Sequence, residues 1–336
     1  MIDTWVEFGE RVAQARRAAG FTQSDLASSI GLERTAVTKI ESGARRIDSL
    51  ELARISQVLR RPVSWFLLTP SPAVISRRTA REGVELEADV LLETLASDVE
   101  QLVEMKLLSP EACPGLGVTV ESVESAEQAA VGVRRHLKLA DQPLWDLIDV
   151  SEQVGLYLFV LPLDAEVQGS YIAVDSGGVA LVQGNDPSGR RRFTAAHELG
   201  HHVLADEYST EWIKGGKDER ERLISAFAIH LLLPRTGAVN RWDRLGGADN
   251  PWTAALHLGA EFGLSWSALC AHLKNLGLVS EDQRMEFSLR PPGKADFIEQ
   301  ELSLIELPGS PSIPSGYAAA VVKAFRGHRI GRQRAV

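Results

Sequence analysis

Cysteine is scarce in this chain. There are two, Cys113 and Cys270, and their spacing suits neither a disulfide framework nor a metal knuckle. Long apolar runs are missing as well. None approaches the roughly 20 residues that a membrane-spanning helix requires. A basic, apolar leader is also lacking, because Asp3, Glu7 and Glu10 sit where its charged and hydrophobic regions would be. The expectation is a protein of the reducing cytoplasm with no membrane partner. Excess positive charge is absent overall, with a formal charge of −9. This excludes a chain whose whole surface serves nucleic acid. No internal repeat is visible.

The charge that is present is unevenly spread. Residues 1–68 hold 10 Lys/Arg against 8 Asp/Glu, whereas the remainder holds 26 against 37. Contact with nucleic acid is therefore expected at the N-terminus. The length of 336 residues exceeds what one domain usually needs. We read four segments: 1–68, 69–118 as a linker with a long helix at 84–108, 119–290, and 291–336 as a Pro/Gly-rich and then basic tail.

Residues 5–68 read as five short helices. Trp5–Ala19 places Phe8, Val12 and Ala15 on one face and stops at Gly20. Thr22 caps a second helix that breaks at Gly31, and a third runs from Glu33 to Glu41. Ser49–Leu59 and Pro62–Leu67 follow. The second and third helices have the helix-turn-helix spacing. On the third, Arg34, Thr35, Thr38 and Lys39 project together while Ala36, Val37 and Ile40 face inward. That is the pattern of a helix laid in a major groove. The stretch from Phe21 to Leu59 resembles the Cro/phage-repressor type of helix-turn-helix family. The resemblance rests on Thr22-Gln23, Ala27, Gly31 and the run Lys39–Arg46. It implies phosphate contacts by Gln23 and Arg46, base reading by Arg34, Thr35, Thr38 and Lys39, and a double-stranded DNA operator as partner.

Within 84–108, Leu92, Leu95, Val99 and Leu102 form a short seam at three- and four-residue steps. It suits either a homodimer or docking on the chain's own second half. From Ser125 the pattern is mixed. Helices are expected at Ser125–Leu137 and Leu144–Val154, and strands at Leu156–Leu161, Tyr171–Val174 and Val179–Val182, with Gly177-Gly178 as a hairpin turn. Val179–Val182 is read as an edge strand able to align an extended peptide. Further helices are expected at Lys217–Leu233, Trp252–Phe262, Ser265–Leu276 and Tyr317–Phe325.

Arg190–Ala205 carries the chemistry. His197-Glu198-Leu199-Gly200-His201 is a His-Glu-x-x-His pattern. On a helix, residues four apart share a face, so His197 and His201 can point at one metal ion with Glu198 beside its water. Ala196, Leu199 and Val203 form a separate apolar stripe, and Gly200 lets another segment come close. Two histidines are too few for a catalytic zinc, which keeps three protein ligands. The acidic start of the next helix, Asp218 to Glu221, offers the third.

These stretches resemble the ImmA/IrrE family of zinc metallopeptidases in RRRFTAAHELGHHVL, ERLISAFAIHLLLP and LSWSALCAHLKNLGL. The resemblance covers about residues 125–280. It implies one Zn²⁺ per chain held by His197, His201 and Glu221, with Glu219 as the fallback, and Glu198 as the catalytic base. Ser225 stands where the family usually has Asn, and His272 where Arg is common. His202, Tyr208, His230 and His257 are candidate oxyanion donors, although His230, set among Ile229 and Leu231–Leu233, reads as a bonded core residue.

The expected architecture is multidomain: an all-α five-helix DNA-binding domain followed by an α+β zincin-like (gluzincin-type) metallopeptidase domain with a small β-sheet. The resemblance implies a transcriptional regulator whose peptidase cleaves a regulatory protein, a repressor or antitoxin, in stress or toxin–antitoxin control. The alternative is a non-enzymatic transcription factor whose second domain senses a ligand or partner. A third reading is self-cleavage.

Overall fold

A computed structural model describes residues 4–59, 61, 63–67, 76–79, 87–109, 120–163, 166–204, 216–303, 307, 309 and 311–331. Asp3, Pro62, Cys113, Ala205 and Tyr208, all named above, lie outside these residues, as do 69–75, 80–86 and 110–118 of the linker. The chain divides into two compact units, Met1–Pro72 with Arg81–Ser97, and Ala73–Ala80 with Asp98–Val336.

The first unit holds α1 (Trp5–Ala18), α2 (Gln23–Ile30), α3 (Arg34–Glu41), α4 (Ser49–Val58) and α5 (Val63–Leu67). Local chemistry sets the boundaries. Thr22 caps α2 in a reciprocal box with Asp25, and Asp48 caps α4 in the same way with Glu51. Helix α2 ends at Gly31, whose φ of 73° is left-handed and favours glycine. Phe8, Val12, Ala15, Leu26, Ala27, Ile30, Val37, Ile40, Ile55, Leu59, Trp65 and Phe66 make one core. Ala36, expected inside with Val37 and Ile40, is only half-buried. Gly9 lets α1 lie against the end of α3, because a Cβ there would meet the Ile40 carbonyl oxygen at 2.4 Å. The Arg16 guanidinium clamps Glu41 at 2.5 Å, and Gln23 Nε2 donates to the same carboxylate at 2.8 Å. One acid thus ties α1, α2 and α3 together.

Helix α6 (Glu87–Glu104) contains the boundary between the units. The second unit is built on a four-stranded sheet in the order β1-β3-β4-β2. Its strands are β1 (Ser76–Thr79), β2 (Leu156–Leu161), β3 (Val167–Val174) and β4 (Gly177–Gln183). β2 runs parallel to β4, while β3 is antiparallel to both β4 and β1. Two expectations are corrected. The β3–β4 turn is Asp175-Ser176, because Val174 pairs with Gly177 and the glycine pair already belongs to β4. Gly177, with φ 128°, passes so near the Gly155 carbonyl oxygen that a Cβ would meet it at 2.4 Å. Second, β4 is paired on both sides, so it is not an edge strand.

The helices of this unit are α7 (Val123–His136), α8 (Leu147–Glu152), α9 (Ser188–Val203), α10 (Gly216–Leu232), α11 (Arg235–Arg244), α12 (Pro251–Phe262), α13 (Trp266–Asn275), α14 (Glu281–Leu289), α15 (Lys294–Glu299) and α16 (Ser315–Arg326). One core joins β2 and β4 to α7, α9, α10, α12 and α13. Residues near the C-terminus pack here too. Val160 and Ser312 exchange two backbone hydrogen bonds of 2.9 Å, and the Tyr317 ring meets Phe159 edge-on at 5.0 Å. Among the described residues no single helix is long and apolar enough to cross a membrane.

Candidate metal centre and nucleic-acid interface

Helix α9 is held in place by arginines at its start. Arg192 is fully buried and donates to the Leu144 carbonyl at 2.6 Å, and burial pushes its guanidinium down to about 10. Arg191 donates to the carbonyls of Gly184, Asp186 and Leu307 at 2.8 to 3.0 Å. Positive charge at a helix N-terminus opposes the helix dipole, so these residues serve to fasten loops to the helix.

One and a half turns on, His197 and His201 are both 1% exposed, their rings 5.0 Å apart. Both aim Nε2 at Glu221 on α10. His197 Nε2 lies 3.0 Å from one carboxylate oxygen and His201 Nε2 lies 3.6 Å from the other. The three donor atoms fall within 4.8 Å of one another. Donors about 2.0–2.1 Å from a tetrahedral ion stand roughly 3.3 Å apart, so the observed separations bracket what a single small cation requires. Two imidazoles and a carboxylate are also a donor set that zinc accepts. The residues therefore fit a metal. Ser225 Oγ is 3.3 Å from His197 Nδ1, where accepting the ring N–H leaves Nε2 its lone pair for an ion. Glu219 is not part of the cluster; it pairs with Arg222 at 2.6 Å.

Glu198 is fully buried and faces β3. A Cβ on Gly169 would meet Glu198 Oε1 and Thr194 Cγ2 at 2.6 Å each. Glycine is what lets the strand press against this carboxylate. At Gly200 a Cβ would meet Ile224 Cγ2 at 2.9 Å and Phe227 Cδ1 at 3.0 Å, so α10 approaches there and brings Glu221 to the histidines.

The oxyanion candidates among the described residues, His202, His230 and His257, are engaged elsewhere. His202 Nε2 lies 2.9 Å from the Val154 carbonyl, which can only accept, so Nε2 carries the proton. Nδ1 then accepts from the Tyr171 hydroxyl at 3.1 Å. His230 lies 3.6 Å from the Glu127 carboxylate and stacks edge-on with His272, their rings 4.8 Å apart. Burial lowers the pKa of His230 and pushes that of His272 down to about 3. His257 faces Gln300 at 3.2 Å. Sequence reasoning missed Tyr171, whose ring lies nearly parallel to that of His201 at 6.2 Å. No local pattern marks it, because its place beside His201 is set by strand register.

In the first unit Arg34, Thr35, Thr38, Lys39 and Arg46 are exposed and Gln23 is half-buried. Gln23 bridges from Glu41 to Thr38, whose hydroxyl is 3.1 Å from Gln23 Oε1. This fixes α2 against the exposed face of α3, and that face carries Arg34 and Lys39.

Residues 151–274 match the peptidase M78 family, described as an IrrE N-terminal-like domain, and residues 12–66 match a helix-turn-helix family. Uncharacterized HTH-type transcriptional regulators of Sinorhizobium medicae and Rhizobium meliloti are each 34% identical over 61 residues. The match takes in 18% of this chain and 44% of each relative, so the chain spans less than half the length of the curated relatives it matches. Among solved structures, the restriction-modification controller protein C.AhdI from Aeromonas hydrophila is 29% identical, with a TM-score of 0.18, over 18% of this chain and 94% of its own. Bacillus thuringiensis PlcR, in complex with the peptide PapR7 and DNA, is 13% identical with a TM-score of 0.20, over 96% of this chain and 79% of its own.

Proposed function

We propose that this chain, which joins a helix-turn-helix domain to an IrrE N-terminal-like domain, is a DNA-binding transcriptional regulator with a zincin-like, zinc-dependent endopeptidase site. The observation that carries the reading is the convergence of His197, His201 and Glu221 on one point, with Glu198 buried on the same helix. Zn²⁺ held there, one per chain, would lower the pKa of a bound water towards 7 and polarise a carbonyl. Glu198 takes the proton from the attacking water at a carboxylate oxygen and passes it to the leaving amine. Gly169 and Thr194 fix where that carboxylate stands. Ser225 orients His197. Tyr171 packs against His201 and limits how its ring turns.

In the first unit, Arg34, Thr35, Thr38 and Lys39 read bases of a double-stranded operator, while Gln23 and Arg46 hold phosphates. A peptidase tied to a DNA address acts on a regulatory protein, a repressor or antitoxin, rather than on bulk protein. The test is incubation of wild-type and Glu198→Gln protein with the proteome of the source cell, followed by mapping of new peptide ends. New ends that depend on Glu198 support the reading. Equal cutting by both proteins removes Glu198 from the role of base, and no cutting by either favours a binding domain that keeps its metal ligands.

A further inference from the structure

The sheet has one edge beside the metal centre, and that edge is taken. β3 presents its outer side there, and β1 pairs with it: Ser76 opposite Tyr171, Arg77 opposite Ser170 and Arg78 opposite Gly169. These β3 residues are the ones that touch the candidate site. Gly169 backs onto Glu198, and Tyr171 stacks beside His201. β4 is paired on both sides, and β2 at the far edge carries the Val160–Ser312 bridge. An extended polypeptide adds to a sheet through main-chain hydrogen bonds, which any sequence can make. The outer side of β3 is therefore where an extended polypeptide would be aligned across the Glu198 carboxylate, and a segment of the same chain lies in it.

The pairing is also built to be weak. β1 has four residues, and its register slips between Arg78 and Thr79. A short, interrupted edge strand contributes few ladder bonds. We propose that β1 is a tethered strand that fills the substrate-strand position and excludes a protein substrate until it is displaced. The identity of the incoming segment as substrate rests on the peptidase reading. The occupancy of the edge by β1 does not.

The test uses the full chain and the double variant Arg77→Pro/Arg78→Pro. Successive N–H groups of a strand point to opposite sides, so the pair of prolines removes one ladder donor whichever residue supplies it. Amide exchange of residues 167–174 is read by mass spectrometry. Exchange is expected to quicken about fivefold or more for the ladder bonds lost. A synthetic peptide of residues 73–82 is expected to restore slow exchange in the variant and to leave wild type unchanged. A second variant, Arg77→Gly/Arg78→Gly, keeps both donors and should fall between the two.

Equal exchange in all three proteins overturns the proposal, as does a peptide that restores nothing. Proteome cleavage then separates the two ideas. Faster cutting by the proline variant than by wild type supports exclusion, and equal or slower cutting with the edge open overturns it. New ends within 76–79 in wild type but not in Glu198→Gln would make β1 a substrate and overturn exclusion. Absence of cutting in every protein, with the exchange results intact, sinks the peptidase reading and leaves the strand in its place.

Discussion

Gly169→Ala places one methyl group between a strand and a carboxylate. The added Cβ would stand 2.6 Å from Glu198 Oε1 and from Thr194 Cγ2, where an ordinary contact needs about 3.4 Å or more. Neither backbone gives way easily. β3 is held by β4 at this point, with Gly169 opposite Val182, and α9 is fastened by Arg191 and Arg192. The side chains must therefore move, and both are buried. Overpacking of this kind costs about 1–3 kcal/mol, and at the middle of that range a unit of this size loses roughly 4–8 °C in Tm. A base displaced by about 1 Å forfeits on the order of a hundredfold in rate. On the proposed peptidase reading, the expected result is a full complement of metal, a modestly lower Tm and cleavage of the protein substrate reduced about a hundredfold. Metal analysis, differential scanning calorimetry and single-turnover cleavage measure the three. Gly200→Ala is the contrast, because its Cβ meets Ile224 and Phe227 on α10 and should weaken metal binding through Glu221. Wild-type Tm and cleavage in Gly169→Ala would refute the argument, since the strand would then not press on Glu198.

Ser225→Ala removes the hydroxyl 3.3 Å from His197 Nδ1 and should weaken metal affinity about 10–100-fold in a chelator competition, with Ser225→Asn restoring it. The His272 pair sets an acid limit. Its pKa is pushed down to about 3 in the folded chain, chiefly by burial and then by His230, with Glu127 and Arg235 nearby. The unfolded chain therefore binds the extra proton first as pH falls below about 6.5. The His272 contribution to stability should be constant above pH 7 and fall by up to about 1.4 kcal/mol per pH unit between about 6.5 and 3. Urea titration of His272→Gln across that window should give a shallower slope. Arg46→Ala should weaken operator binding at every sequence alike and reduce the salt slope by about 1, as filter binding at several salt concentrations would show.

Much of this was legible because burial writes a period into sequence. The five N-terminal helices, α9, α10, α12 and α13 bury recurring apolar faces or carry caps such as Thr22 and Asp48, and were read to within a few residues. Elements without such a face were missed. α14 buries Phe287 alone, α15 buries nothing, and α11 buries Gly237, Ala238, Arg241 and Trp242, which form no apolar stripe. β1 is four polar residues whose pairing lies with β3, some 90 positions onward, and no local pattern reports that. The metal cluster was readable from spacing on α9, with Glu221 supplied by resemblance. The tethering of His202 and the stacking of Tyr171 were not, because both depend on strand register.

Helix α9 is buried from Thr194 to Val203, and two independent demands fall on alternate sides of it. Ala195, Ala196, Leu199 and Val203 answer to the core. His197, Glu198 and His201 answer to the proposed ion and its water. In evolutionary terms the two sets can drift apart. A descendant that exchanged these two histidines and Glu198 for residues of similar bulk would keep the helix, the sheet and the helix-turn-helix domain while losing the proposed chemistry. Hydrolases and inert ligand-sensing regulators of one shape are then separated by three side chains, and inheritance of the shape says little about which of the two a given chain has become.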